Sequence, residues 1–240
     1  LNQLKETKRI LENSELGVNS QNERNNQLAV VEILSAYVWS NIVETFGDMP
    51  YSQALDYKIP TPAYDDGLTI YKNLITRIDA ALATMTPTEG AFDPQFDNIY
   101  GGATDKWMRF ANSLKLRMGL VLADVDNTTS VSAVNSAIAG IAGEGVFVEG
   151  DKFALAYYAA DAANQNPVYT DVIASGRDDY VVTKSLVDPL NALNDPRRDG
   201  FLWTKINGQY IGGNQGVANT WSICTHIDKD RLLASREVVL

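Results

Sequence analysis

The sequence predicts a mainly α-helical protein with a loop-rich lobe that contains short strands. Apolar residues recur at spacings of three and four through most of residues 1–142, which is the period of an amphipathic helix. From Gly143 onward, glycine, asparagine, aspartate and proline interrupt short apolar runs, as is typical of loops and brief strands. We expect a helical scaffold over residues 1–142 and a loop-rich lobe over residues 143–240, within one overall domain. Brief strands are expected at 145–148 and 179–183.

Six segments carry the helical period, and residues that start or stop helices bound several of them. Gly47 suits the end of the second helix, and Pro50 in the following turn cannot continue it. Asp65 or Asp66 could cap the third helix, whose N-terminus favours a negative charge. The predicted helices cover residues 1–11, 26–45, 67–84, 104–124, 130–142 and 185–193. Consecutive helices of this kind suggest TPR-like helical pairs, although no fixed 34-residue repeat signature is visible.

The distinctive turn at 46–51 is interpreted as structural. Gly47 can supply a positive φ angle, and Asp48 can accept hydrogen bonds from nearby backbone amides. Tyr51 can anchor the turn to the core. We therefore expect this turn to shape the fold rather than to carry chemistry.

The fourth predicted helix combines an apolar stripe with several charged residues. Large apolar side chains recur at helical spacing and indicate a packing face; they are Trp107, Phe110, Leu114 and Met118. The basic residues share the helix with acidic ones, so solvent-exposed ion pairs are the simplest interpretation and docking to an acidic partner is the alternative. The bases are Arg109, Lys115 and Arg117, and the acids are Asp105 and Asp124.

Composition excludes several classes of protein. The 240 residues include 30 acidic and 20 basic side chains, for a formal net charge of -10. Nucleic-acid binding depends on Lys and Arg side chains that neutralise phosphates, so this charge disfavours a nucleic-acid partner. No uninterrupted apolar run approaches the roughly 18 residues of a transmembrane helix. A single cysteine, Cys224, excludes an internal disulfide and a multi-cysteine zinc site.

Catalytic motifs find little support. Cys224 and His226 would share one side of a strand, but no orienting acid or oxyanion loop accompanies them. His226 is interpreted as a surface or locally hydrogen-bonded residue. Adjacent carboxylates at 65–66 and 178–179 are a poor prediction of the facing pair that glycoside hydrolysis needs. We expect no enzymatic activity.

One segment has the spacing of a calcium loop. Asp124, Asp126 and Thr128 alternate as such ligands do, but the glycine and the terminal glutamate of that loop are missing. A turn at a helix end explains the segment better. We expect no cofactor, with calcium as the one alternative left open.

Five groups of sequence strings, in one order along the chain, resemble the SusD/RagB family and its branch of SusD-like outer-membrane lipoproteins. The strings are YVW (37–39) with FGDMPYSQA (46–54), YDD (64–66) with IYKNL (70–74), IYGG (99–102) with KWMRFANSLKLR (106–117), NPVY (166–169) and NDPR (194–197). The lipidated N-terminal cysteine of that family is missing. The chain also stops at Leu240, where the family continues with further TPR-type helices. We therefore expect an N-terminal and central fragment.

The resemblance implies a function that composition does not show. It implies a non-catalytic protein that binds polysaccharide or oligosaccharide in an outer-membrane nutrient-uptake complex and delivers it to a TonB-dependent SusC-like transporter. It also implies a location at the bacterial cell surface, on the outer membrane, through a lipid anchor upstream of Leu1. A TPR-like scaffold that binds a protein or peptide is the alternative, and a helical glycosidase is a third hypothesis.

Glycan binding directs attention to aromatic and amide side chains. Flat aromatic faces suit the C–H groups of a sugar ring, and amides suit its hydroxyl groups. Both are densest at 203–221, where four glycines give a backbone that can expose rings. The candidate ligand-binding residues are Trp203, Tyr210, Trp221, Tyr180, Tyr158 and Asn214. Rings packed under a long loop are the alternative, and the hypothesis requires Trp203 or Trp221 to be exposed.

Overall fold

Long helices come first in the chain, and short elements joined by loops follow. The computed structural model describes residues 1–140, 144–147, 155–156, 161, 163, 165–201, 203–232 and 238–239. Two units make up the chain, Leu1–Ala154 and Leu155–Leu240. The first holds α1 (Asn2–Asn13), α2 (Gln21–Phe46), α3 (Gly67–Thr84), α4 (Thr104–Val121) and α5 (Asn127–Ala139). Each of these helices packs against the next, and α2 also contacts α4. The predicted fold class, mainly α with TPR-like helical pairs, is confirmed.

The central helix α2 begins five residues before its predicted start. Ser20 forms a capping box with Glu23: its hydroxyl accepts the Glu23 amide at 3.0 Å, and the Glu23 carboxylate accepts the Ser20 amide at 2.8 Å. Polar residues fill the first turn, so the apolar period does not reveal it. By length and composition α2 could cross a membrane. Ile33 and Ala36 are wholly buried, and the helix packs against α1, α3 and α4, as a core helix does.

The turn between α2 and α3 has the structural role that its residues predicted. Gly47 adopts a φ of 72°, and the Asp48 carboxylate accepts the Gly67 amide at 2.8 Å. Asp66 caps α3, so this helix has its predicted bounds. Tyr51 packs edge-on against Trp39 in the core, with ring centres 5.0 Å apart. The turn thereby fixes the position of the start of α3 relative to the end of α2.

A buried aspartate organises the loop before α4. Asp97 is 8% exposed, and its carboxylate accepts four N–H groups at 2.7 to 3.0 Å. The donors are the backbone amides of Ile99, Tyr100 and Gly102 and the indole of Trp107. Four donors to one carboxylate fix the loop relative to the first turn of α4. The predicted packing stripe of α4 is confirmed, since its four members belong to the buried core.

The basic residues of α4 correct one sequence expectation. The prediction of exposed pairs within the helix was wrong, because the partners lie on other elements. Lys115 is fully buried and binds Asp79 of α3 at 2.6 Å. Arg117 binds Glu44 of α2, and Arg109 lies 3.1 Å from Glu144. These ion pairs connect α4 to its neighbours.

The helix α5 begins three residues before the predicted position. The side chain of Asp126 accepts the Thr129 amide at 3.0 Å and so starts the helix. Gly140, with a φ of 68°, ends it. The turn interpretation of this segment therefore accounts for Asp126, whose carboxylate also binds Lys72 at 2.7 Å.

The second unit consists of short elements, two of which begin with a proline. It holds β1 (Leu155–Ala156), α6 (Pro167–Tyr169) running into a π-turn (Thr170–Ala174), α7 (Lys184–Ala192), two 3-10 turns (Pro196–Asp199 and Trp221–Ile223) and β2 (Val238–Val239). β1 pairs with β2 in antiparallel fashion. Asn166 and Asp195 cap the elements that begin with the following proline. Two of the sequence strings, NPVY and NDPR, are thus capped helical starts.

In the residues that the structure describes, neither predicted brief strand is present. At 179–183 the only ladder contact in the described chain is a bridge between Thr183 and Gly213. Residues 145–147 are in no strand, and residue 148 lies outside the described residues. Around 182 the backbone pairs too briefly for a strand, although Val182 donates to the Thr225 carbonyl at 2.7 Å.

Candidate ligand-binding site

A cleft of about 410 Å³ opens beside Tyr210 in the second unit. The C-terminal part of α7, the turn Pro196–Asp199 and the segment at 205–210 surround it. Its lining residues are Asn191, Arg198, Asp199, Lys205, Gly208, Gln209 and Tyr210. We call this the Tyr210 cleft. Most of its lining is polar, so hydrogen bonds and charge would dominate the recognition of a ligand there.

A tight hairpin forms one rim of the cleft. Ile206 and Gln209 exchange two backbone hydrogen bonds of 2.8 and 3.0 Å. The two residues between them, Asn207 and Gly208, have φ angles of 51° and 80°. An Asn-Gly pair with positive φ angles is the sequence preferred for a two-residue hairpin loop. No heavy atom lies within 4 Å of the position that a Cβ would take on Gly208, so the tip is open.

Two side chains, those of Lys205 and Tyr210, bind the Asp199 carboxylate in the Tyr210 cleft. The Tyr210 hydroxyl donates to Asp199 at 2.7 Å, and the Lys205 amino group lies 2.8 Å from the same oxygen. Lys205 and then the Tyr210 hydroxyl hold the pKa of Asp199 below its usual value. Burial, and then the bond to Asp199, raise the pKa of Tyr210. At neutral pH the cluster therefore contains a carboxylate, an ammonium and a neutral phenol.

Arg198 ties the walls of the cleft together. Its guanidinium donates to the side-chain oxygens of Asn191 at 2.8 Å and Asn194 at 2.6 Å, and to the Asp195 carbonyl at 2.8 Å. Asn191 in turn donates to the Tyr210 carbonyl at 2.9 Å. These hydrogen bonds, all accepted by neutral oxygens, fix the NDPR string (194–197) relative to the hairpin.

Two neighbouring rings form an aromatic surface next to the cleft. Trp203 packs against Phe201, with ring centres 4.9 Å apart, and meets Tyr210 at 6.1 Å. Trp203 is partly exposed, and Phe201 is 44% exposed. A backbone bridge to Ile227 holds Trp203 in extended conformation. The sequence analysis missed Phe201, which lies two residues before Trp203.

Tyr210 itself is largely buried, with 9% of its surface exposed. Lys205 and Arg198 also lie over its ring, at 5.2 and 5.8 Å from the ring centre. Little of its face is open to a ligand. Its contribution to the cleft is to hold Asp199 in place, whereas Trp203 offers the more open ring.

Trp221 has a different setting. It is partly exposed, but His226 stacks on it at 3.6 Å between ring centres and covers one face. Lys229 lies 5.4 Å from the same ring centre. His226 is buried, and its Nδ1 lies 2.8 Å from the Cys224 carbonyl. The local hydrogen bond was expected, whereas the surface position was wrong because Trp221 covers the imidazole.

The remaining candidates lie apart from the aromatic pair. Tyr180 is 45% exposed, donates to Asp171 at 3.0 Å and has Arg177 over its ring at 4.5 Å. Asn214 is exposed and lines a second cleft of about 500 Å³ with Lys184, Ser185, Asp188, Pro189 and Gln215. Tyr158 lies outside the described residues. Among the candidates that the structure describes, Trp203 and Tyr210 are the pair in ring contact.

The helical unit has exposed aromatic residues that the sequence analysis did not single out. Tyr57 is 91% exposed, and Phe46 and Tyr64 are 74% and 73% exposed. All three lie at 46–64, in or next to the link between α2 and α3. The sequence feature that indicated a surface position for this link was its content of prolines and short polar residues. The described part of the chain contains no group of three or more metal-ligating side chains.

Comparison with known proteins places the chain among similar folds. The family model SusD-like_2, described as "Starch-binding associating with outer membrane", matches residues 1–237. A SusD homolog from Bacteroides uniformis is 22% identical with a TM-score of 0.79, over 99% of this chain and 48% of that chain. A chitin-binding SusD homolog from Flavobacterium johnsoniae is 22% identical with a TM-score of 0.73, over 92% of this chain and 46% of that chain. The chain spans about half the length of these structures. No curated protein matches it.

Proposed function

The chain belongs to the SusD-like family, and from this premise we propose that it is part of a non-catalytic glycan-binding protein. In this proposal the whole protein captures polysaccharide or oligosaccharide at the outer surface of the outer membrane, to which a lipid anchor attaches it. It then delivers the ligand to a TonB-dependent SusC-like transporter. The ligand site in this chain is the Tyr210 cleft together with the Phe201 and Trp203 rings.

One observation carries the assignment of the site. A partly exposed aromatic surface, Phe201 with Trp203, adjoins a polar cleft that contains Arg198, Asp199 and Gln209. Sugars are amphipathic, with apolar C–H faces and hydroxyl edges, so a ring platform next to fixed polar groups is the combination that binds them. The second cleft, around Asn214, has no aromatic residue in its described lining.

The chemistry of the cleft favours binding over hydrolysis. Canonical glycoside hydrolysis uses two carboxyl groups on opposite sides of the scissile bond. Asp199 is the single carboxylate in the described lining, and Lys205 and Tyr210 both bind it. A carboxylate held in this way with a lowered pKa is poorly suited to donate a proton at neutral pH. We therefore assign the cleft to recognition.

The alternative of a peptide-binding helical scaffold has less support. The helical unit has a cleft of about 290 Å³ between α1, α2 and the segment at 51–55. Its charged side chains already have partners: Lys8 and Arg77 bind Glu32, and Lys5 donates to the Leu55 carbonyl at 2.6 Å. A peptide would have to break these contacts to bind there.

Affinity electrophoresis of the chain in gels that contain starch or soluble chitin tests the proposal. These polysaccharides are chosen from the family description and from the chitin-binding homolog. We expect at least one of them to retard the chain. Trp203→Ala should weaken that retention by about tenfold, since it removes the larger, partly exposed ring of the aromatic pair. Tyr57→Ala, which removes an exposed ring of the other unit, should leave it unchanged.

Two outcomes would reject the proposal. Retention by no carbohydrate, together with tight binding of peptides, would favour the helical scaffold. Equal retention of the Trp203→Ala variant would move the ligand away from the aromatic pair. The transporter partnership is tested separately, by purifying the full-length protein from detergent-solubilised outer membranes, where a TonB-dependent transporter should accompany it.

A further inference from the structure

The Tyr210 cleft carries an excess of positive charge in an acidic protein. Its lining holds two cations, Arg198 and Lys205, and one carboxylate, Asp199, which leaves one positive charge uncompensated. The chain as a whole has a net charge of -10. We infer that this cleft selects glycans that bear an acidic substituent, a carboxylate or a sulfate ester, over neutral glycans. The inference rests on the proposed function and specifies its ligand.

Of the two cations in the lining, Arg198 is the one with no direct ion pair in the described part of the chain. Asp199 forms its ion pair with Lys205, and Asp195 forms its own with Arg197 at 2.6 Å. In the described part of the chain no carboxylate lies within ion-pair distance of the Arg198 guanidinium, which donates only to neutral oxygens. Arg198 acts on Asp195 and Asp199 at longer range without a direct ion pair, so its guanidinium can still form one with an anionic ligand.

Arg198 also keeps hydrogen-bonding capacity. A guanidinium has five N–H donors, and three described contacts leave two of them for a ligand. Those contacts fix its plane, so a bound anion need not order a flexible side chain. Planar, preorganised guanidinium groups suit carboxylate and sulfate-type oxygens, which they bind with two donors at once.

Neighbouring cations strengthen the same site. The Lys205 ammonium has three donors, and Asp199 accepts from one of them at 2.8 Å. Arg231 donates to the Asp199 carbonyl at 3.3 Å and adds a further positive charge near the cleft. By contrast, the cleft around Asn214 is lined by one cation and one carboxylate, Lys184 and Asp188. Its formal charge is zero, so of these two clefts of the second unit only the Tyr210 cleft carries a positive excess.

Salt concentration affects the measurement in a defined way. At low ionic strength the overall negative charge repels an anionic ligand as it approaches, whereas at about 0.15 M salt charges more than roughly 8 Å apart are largely screened. The contacts within the cleft persist at that concentration. Binding should therefore be measured at about 0.15 M salt.

Titration calorimetry of the chain tests the inference with four ligands of similar length. The neutral ones are maltohexaose and chitohexaose, and the acidic ones are hexagalacturonate and a sulfated galactan oligosaccharide. We expect at least one acidic oligosaccharide to bind at least tenfold more tightly than both neutral ones. Comparison of the two acidic ligands identifies carboxylate or sulfate as the preferred group.

Charge variants then locate the preference. Lys205→Gln removes the positive excess of the cleft but keeps the Arg198 contacts, and should weaken the binding of an acidic oligosaccharide by about tenfold, clearly more than it weakens the binding of a neutral one. Lys58→Gln makes the same charge change at an exposed position of the helical unit and should have no effect.

The possible results distinguish a failure of the inference from a failure of the proposed function on which it rests. Tighter binding of a neutral oligosaccharide would overturn the inference and leave glycan binding in place. Acidic binding that Lys205→Gln does not weaken would also overturn it, since the anion would then lie elsewhere. Binding of none of the four ligands, with no retention in the polysaccharide gels, would overturn the proposed function and the inference together.

Discussion

The amino group of Lys115 lies 2.6 Å from the carboxylate of Asp79, although the two side chains have opposite environments. Lys115 on α4 is fully buried, whereas 45% of the Asp79 side chain on α3 is exposed. The ammonium of a buried lysine needs a charged partner, because removal from water is costly without one. Asp79 supplies that partner from the rim of the core and thereby holds α4 against α3.

Loss of this partner should destabilise the helical unit. Asp79→Ala leaves the buried ammonium unpaired, and we expect the free energy of unfolding to fall by about 2 kcal/mol or more. Lys115→Met fills the same space without a charge and should be close to neutral or stabilising. Urea unfolding of the two variants measures both effects. A fully stable Asp79→Ala variant would mean that the amino group reaches water.

The Asp97 cluster makes a second prediction. Asp97→Ala removes the acceptor of four N–H groups, so about 3 kcal/mol or more of stability should be lost. Because one of the donors is the Trp107 indole, its near-ultraviolet circular dichroism should also change. Asp93→Ala, in the same loop, removes an acceptor with one described backbone donor and serves as the control. Equal losses for both variants would show that the cluster adds no stability of its own.

Two adjacent glycines should respond very differently to alanine. Gly101 and Gly102 both have positive φ angles, of 61° and 82°. A Cβ on Gly102 would lie 2.1 Å from the Phe92 carbonyl oxygen, whereas none of the structure lies within 4 Å of one on Gly101. Gly101→Ala should cost about 1 to 2 kcal/mol from backbone conformation alone, and Gly102→Ala at least about 3 kcal/mol. Thermal unfolding compares them, and similar costs would contradict the close contact.

The ion pair between Lys72 and Asp126 should make stability depend on acid pH. Lys72, followed by the bonds to Thr129, lowers the pKa of Asp126 from 3.8 to about 2. A depressed pKa stabilises the folded state at pH values above 3.8, and this contribution is lost as pH falls through about 2. Asp126→Asn keeps a capping side chain but removes the charge. Its stability deficit should be constant above about pH 5 and vanish near pH 2.

Urea unfolding at a series of pH values measures that deficit. Lys72→Met removes the other charge and should show a deficit at neutral pH, while its cap at Asp126 remains intact. A deficit of Asp126→Asn that persisted unchanged to pH 2 would assign the effect to the cap rather than to the ion pair.

Local signals predicted the helices well because their bounds depend on local chemistry. Asp66 caps α3 where a capping residue was expected, and the apolar stripe of α4 lies in the core. The burial of Lys115 could not be predicted in this way. Its partner is 36 residues away on another helix, and a basic residue on an amphipathic helix usually faces solvent.

The candidate site was less predictable, because it depends on residues that meet across loops. The density of aromatic and amide residues indicated the segment at 203–221, and Trp203 lies there partly exposed. The polar members were missed, since Arg198, Asp199 and Lys205 carry no spacing that identifies a cleft. Tyr210 was considered for its ring, yet the structure buries the ring and uses the hydroxyl. Packing therefore gives side chains of the same type different roles.

The two-residue hairpin loop of Asn207 and Gly208 bears on how such a protein could diversify. Its open tip at the rim of the cleft can lengthen without disturbing Asp199 or Arg198, because the bonds that hold those residues come from other segments and from Tyr210 and Lys205 on the flanks. Insertions there would alter which ligands fit while the scaffold stays constant. Libraries with randomised loops of four to six residues at this one position are therefore a direct route to new binding specificities.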